Sequence, residues 1–190
     1  MKISKGDFGS VKYRRKVSII RTVIIFAIDI GIFILGLLLN NGDRGNIWSV
    51  IAAIGVVPGG MSVINIIMFA RVPGMKRADY EVISKHTKGL RVVYELYFTT
   101  YEKNMFVDAI IICGEYVTCY TSTHPSQQDL TFMEKNIRKH VLQDGYKVTV
   151  KIFDNMKNFL ERADQLAEKR ESLEMDRDDR VESVLMAISL

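Results

Sequence analysis

The chain has 190 residues, a formal charge of +4, 48% hydrophobic residues and a mean hydropathy of +0.07. That apolar fraction excludes a disordered or collagen-like chain, and two cysteines exclude a disulfide-dense secreted scaffold. A pI near 9.0 taken alone suggests nucleic acid, but residues 1–75 carry a net +6 and residues 76–190 a net −2.

Residues 1–16 read as a basic cytosolic segment. Residues 17–39 (VSIIRTVIIFAIDIGIFILGLLL) and 47–70 (IWSVIAAIGVVPGGMSVINIIMFA) each supply the roughly 20 apolar residues that cross a bilayer as a helix. A seven-residue loop, 40–46, joins them. The first run is too long for a signal peptide and no A-x-A site follows it. Lys12, Arg14, Arg15, Lys16 and Arg21 flank the first span, and Arg71, Lys76 and Arg77 follow the second, whereas the loop holds only Arg44 against Asp43. This asymmetry predicts a two-pass protein with both termini cytoplasmic. Arg14, Arg15, Lys16 and Arg21 are candidates for the inner lipid headgroups. A bacterial inner membrane fits a loop in which none of Asn40, Asn41 and Asn46 starts a glycosylation sequon.

The spans carry polar features. Asp29 lies near the middle of the first, where a carboxylate costs a few kcal/mol unless it faces protein or water. Thr22, Asp29 and Gly36 recur every seven residues. In the second span Ala52, Gly55, Gly59 and Ser62 share one face, small enough for close helix approach. The two faces are expected to pack together or against another copy, which predicts a homo-oligomer. Pro58 withdraws a donor from the carbonyl of Ile54, Gly59 and Gly60 loosen the helix beside it, and Asn65 can bond across an interface. Asp29, Pro58, Gly59, Gly60 and Asn65 are therefore gate or polar-packing candidates.

From residue 76 the pattern is that of a cytosolic α/β domain, 76–174. A short helix over 76–88 precedes strands at 90–100, 105–113 and 116–122. The Gly114-Glu115 turn pairs Ile110 with Cys119 and Ile112 with Val117. A helix follows from Ser126, with Leu130, Met133, Ile137 and Val141 as its apolar face and Gly145 as its stop. Residues 146–153 alternate as a half-buried strand, parallel to the first or third. Asp154 is expected to cap the next helix, striped by Phe159, Ala163, Leu166 and Leu173. Residues 175–190 read as a charged linker and a short amphipathic helix. The fold class is an α+β membrane protein: a two-helix hairpin, then an α/β domain with a four-stranded mixed sheet in α-βββ-α-β-α order. Simple alternation puts Leu90, Val92, Tyr94, Leu96, Phe98, Ile110, Ile112, Val117 and Cys119 on one core face. Glu95, Tyr97, Tyr116 and Tyr120 fall on the other, either an interaction face or one covered by a helix.

The α-βββ-α-β order with Asp108 on the second strand resembles the PD-(D/E)xK nuclease-like core. In that family a strand Asp and a (D/E)-x-K on the next strand hold a divalent metal. Here the matching positions are Cys119, Tyr120 and Thr121, and Glu115 lies roughly 20 Å further along the strand. The resemblance implies a scaffold without its catalytic acids. His86, His124 and His140 have no zinc spacing, and no P-loop, dinucleotide or hydrolase motif is present. No catalytic residue, metal ligand or cofactor is assigned. The sequence favours a membrane-anchored, non-enzymatic protein whose cytosolic domain binds a protein or small ligand. The alternatives are an oligomeric pore-forming effector and a membrane-tethered nuclease-like enzyme. With an acidic domain, no nucleic-acid partner is expected.

Overall fold

The computed structural model describes residues 3–100, 102–170 and 177–190. It forms two compact units: one is Val11–Pro73, the other combines the N-terminal residues through Ser10 with Gly74–Leu190.

The first unit is a helical hairpin of α1 (Ser10–Leu39) and α2 (Ile47–Arg71). Both helices are long and apolar enough to cross a membrane. α1 starts at Ser10, seven residues before the expected span, because nothing between Ser10 and Val17 breaks a helix. Asn46 caps α2, accepting from the Ser49 amide at 3.0 Å. α2 runs unbroken through Pro58.

The second unit holds α3 (Arg77–His86), β1 (Arg91–Thr99), β2 (Asn104–Cys113), β3 (Tyr116–Tyr120), α4 (Gln127–Gln143), β4 (Thr149–Phe153), α5 (Met156–Lys169) and α6 (Asp178–Ile188). The sheet order is β1-β2-β3-β4, antiparallel except for the parallel β3–β4 pair. Ile110 faces Cys119 and Ile112 faces Val117, as the two-residue turn requires. Ser126 caps α4 by accepting from the Asp129 amide, and Gly145, at φ +88°, follows its end. The α5 cap is Asn155 instead of Asp154: its side chain accepts from the Lys157 amide. Leu173, with residues 171–176, lies outside the described residues.

Helices cover both sheet faces. Met133, Ile137 and Val141 of α4, with Val181 and Leu185 of α6, pack on Ile110, Ile112, Val117, Cys119 and Ile152. Ile83 of α3, with Phe159, Ala163 and Leu166 of α5, packs on Ala109, Ile111, Cys113 and Tyr120. This three-layer arrangement explains why β2 is buried along nearly its whole length.

Gly6 near the start of the chain and Ser189–Leu190 at its end both bond to β1, on the edge away from β2. The Gly6 carbonyl accepts from the Tyr94 amide at 2.7 Å, and Phe8 stacks on Tyr80 at 4.2 Å. Residues up to Ser10 thus belong to the α/β unit instead of forming a separate basic segment. At the other end Ser189 bridges Phe98, and the Leu190 amide donates to the Tyr97 carbonyl. α6 begins at Asp178, so the second half of the expected charged linker is helix.

One expectation about the sheet is corrected. Leu96 and Phe98 share the α4 side with Met105 and Val107, but Val92 and Tyr94 pack on the α3–α5 side with Ala109 and Ile111. Both strands change face at the same level, at Glu95 and Asp108. These two stand opposite each other between the pairs Tyr94↔Ala109 and Leu96↔Val107. Glu95 has φ +54°, the left-handed region that a non-glycine residue seldom occupies. The rotated backbone moves the rest of β1 to the other face, and β2 steps with it, so the register survives.

Candidate functional site

Glu95 is 4% exposed. Its Oε1 accepts from the Met75 amide at 3.0 Å and its Oε2 from the Ser10 hydroxyl at 3.4 Å. Ser10 is the first residue of α1, and Met75 follows α2 by four residues. One carboxylate therefore holds both points at which the chain leaves and re-enters the α/β unit. A non-glycine residue in the left-handed region costs about 1–3 kcal/mol, so the surroundings must hold Glu95 there.

Asp108 faces it across the ladder and is fully buried. Its Oδ2 accepts from the Ser122 amide at 2.6 Å, and its Oδ1 has no partner. Burial holds this carboxyl above its ordinary range, the Ser122 bonds oppose that, and nearby Asp79 and Glu95 reinforce it. Folded chain thus keeps a proton that unfolded chain has lost. Stability is greatest below about pH 4 as far as this group is concerned, and falls as pH rises from there through the raised native value. Asp108→Asn keeps an acceptor for Ser122 and is expected to flatten this slope, measured as urea midpoints of the full chain in micelles from pH 4 to 8. Burial also raises Asp178, so the slope shrinks without vanishing.

A cleft of about 420 Å³ lies among Gly89, Leu90, Arg91, Arg170 and Asp178. That volume suits a small ligand. Arg91 is already paired with Asp179 and Glu182. Asp178 is 2% exposed; its Oδ1 accepts from the Gly114 amide at 2.9 Å, and its Oδ2 has no partner. Gly89, at φ +86°, lies against the Arg170 guanidinium, which a Cβ there would meet at 2.5 Å.

The interaction-face residues are placed as follows. Tyr120 is buried against Phe159, ring centroids 5.5 Å apart, and Glu95 is internal. Tyr116 is half-buried beneath the Arg162 guanidinium at 5.0 Å, and Tyr97 is half-buried. α3 and α5 cover this side of the sheet over Ala109, Ile111, Cys113 and Tyr120, so of the four residues only Tyr97 and Tyr116 keep partial exposure. Cys113 and Cys119 are buried free thiols, and burial pushes both upward in pKa.

Within the hairpin the two predicted faces meet. The Thr22 and Ser62 hydroxyls hydrogen-bond at 2.6 Å. Phe26 packs on Gly59, Asp29 on Gly55 and Trp48 on Gly36. Ala52, Gly59 and Ser62 are buried. This small-residue face is therefore occupied by the chain's own α1, the first of the two arrangements expected for it. Asp29 leaves Oδ2 without a partner. Gly60 has open space around it, Pro58 is exposed, and Asn65 is exposed instead of lying between the helices. Arg15 also departs from expectation. Its guanidinium donates to the carbonyls of Phe69, Ala70 and Val72 at 2.9–3.3 Å, satisfying the C-terminal end of α2. Arg14 is half-buried, and Lys16 and Arg21 are exposed.

The sequence reading passed over the Glu95–Asp108 pairing and Asp178. A signal for the first was present: two acids at facing positions in otherwise apolar strands. Asp178 had none, being one acid among several in MDRDDRV. Comparison of the chain with protein-family models, with curated proteins and with solved structures returns no match.

Proposed function

We propose that the chain is a two-pass membrane protein with both ends and the α/β domain on the cytosolic side. The domain binds a small ligand or a protein there and passes its state to the hairpin. The observation that carries this reading is Glu95, which ties the middle of the sheet to Ser10 and Met75 at once. Any change at the β1–β2 step alters both connections to the membrane helices together. The Lys/Arg asymmetry supports the orientation. A binding role is favoured over catalysis because the two facing acids, Glu95 and Asp108, each accept from a backbone amide inside the core. A small ligand fits the cleft beside Arg170 and Asp178.

Glu95→Gly tests the connection. Glycine adopts φ +54° freely, so the variant removes the carboxylate without adding backbone strain. A hydrogen bond to a charged group contributes about 1.5–3 kcal/mol, which is roughly 10- to 100-fold in local opening. Hydrogen exchange on the full chain in lipid nanodiscs is expected to quicken by that factor in peptides containing Ser10 and Met75. Peptides from Ile110–Ile112 should change little. Unchanged exchange at both roots would remove the basis for the coupling.

A further inference from the structure

We infer that a second copy of this chain covers the face of α2 formed by Ile54, Pro58, Met61, Asn65 and Met68. The inference rests on the membrane reading above. These residues follow one another at spacings of four, three, four and three, the 3.5-residue repeat of a helix–helix seam. They lie to one side of the face that α1 occupies. Ile54 is 67% exposed, Met61 65% and Met68 37%, and Pro58 and Asn65 are exposed as well.

Two unmet polar groups on this face single it out from the rest of the lipid-facing surface. Asn65 makes no side-chain hydrogen bond among the described residues, whereas Arg15, Thr22, Ser62 and the loop asparagines of the same hairpin all do. It stands six residues from Gly59, the middle of α2. At 1.5 Å per residue this is about 9 Å, inside a half-thickness of about 15 Å. The short amide does not reach the headgroups from there. The second group is the carbonyl of Ile54, whose helical donor is missing because residue 58 is proline. Polar groups in hydrocarbon must be satisfied by protein.

A second copy supplies what Asn65 needs. Copies inserted the same way relate by a two-fold axis along the membrane normal, so Asn65 meets Asn65. A carboxamide is self-complementary, with one carbonyl acceptor and an NH₂ donor. The hairpin's small-residue face is already filled within the chain, so the contact must form here.

The test uses the full chain in native membrane vesicles. Under mild oxidation, Met61→Cys and Met68→Cys are expected to form cross-linked dimers, while Val56→Cys and Val63→Cys, on a different face of α2, are not. Sedimentation in micelles should show Asn65→Leu lowering the dimer constant roughly 3- to 30-fold, the range for one interhelical hydrogen bond, with Asn65→Gln largely restoring it. Cross-linking through Val56 or Val63 alone, a cross-link to a different protein, or an unchanged dimer in Asn65→Leu would overturn the inference. A chain that stays in the membrane after carbonate washing but is monomeric refutes the seam alone. A chain that carbonate releases refutes the membrane reading itself.

Discussion

Gly55→Leu is expected to open the hairpin. A Cβ at Gly55 already overlaps the Asp29 carboxylate, and the remaining atoms of leucine need still more room. The Asp29 side chain of α1 fills the space at this level of α2, so room for a leucine side chain comes from separating the helices. In the membrane setting proposed above, separation exposes Asp29 to lipid, at about 3 kcal/mol on insertion scales. It also breaks the Thr22–Ser62 bond, worth about 1 kcal/mol. The only tryptophan, Trp48, packs on Gly36 in the same interface and reports the opening. Thermal melting followed by Trp48 emission should show a loss of several kcal/mol for Gly55→Leu. Gly60→Leu, where nothing lies within 4 Å of the added atom, should be nearly silent. Equal effects at the two glycines would mean that the Asp29–Gly55 contact does not set the pairing.

Phe159→Ala is expected to cost the α/β domain about 3–5 kcal/mol, the usual range for a buried phenylalanine. Phe159 is fully buried and joins α5 to the sheet through Tyr120, Ile111 and Cys113. Removing the ring leaves a cavity that the surrounding helix and strands cannot close without moving. Cys113 lies in the same cluster, so its reaction with a thiol reagent under increasing urea gives the readout. Leu142→Ala, at a residue 56% exposed, should shift the midpoint by less than about 0.5 kcal/mol.

The elements were legible in the sequence where one periodicity dominated. Val148, Val150 and Ile152 alternate, and all three are buried. Leu130, Met133, Ile137 and Val141 repeat at helical spacing and all are core. Thr22, Asp29 and Gly36 met the small-residue face of α2 because seven-residue recurrence fixes a helix face whatever the surroundings. The face of β1 was not legible. With helices on both sides of the sheet, apolar residues fill both faces and alternation loses its contrast. The step at Glu95 then goes unmarked, since its left-handed backbone depends on contacts with Ser10 and Met75, 85 and 20 residues away. Arg15 was misread for a similar reason. A basic residue beside an apolar run suits a headgroup, but the Arg15 guanidinium donates to the carbonyls at the end of α2, a contact set by how the two helices pair.

The orientation of the chain is the claim on which the rest depends, and single-cysteine labelling with a membrane-impermeant reagent tests it most directly. The native Cys113 and Cys119 are buried and stay silent in folded chain. Arg44→Cys lies in the short loop between α1 and α2, and Lys157→Cys lies on the exposed side of α5. In intact cells the reagent should label Arg44→Cys and leave Lys157→Cys untouched, and in inside-out vesicles the pattern should reverse. Labelling of Lys157→Cys from outside, or of both positions from the same side, would contradict a two-pass protein with its α/β domain in the cytosol.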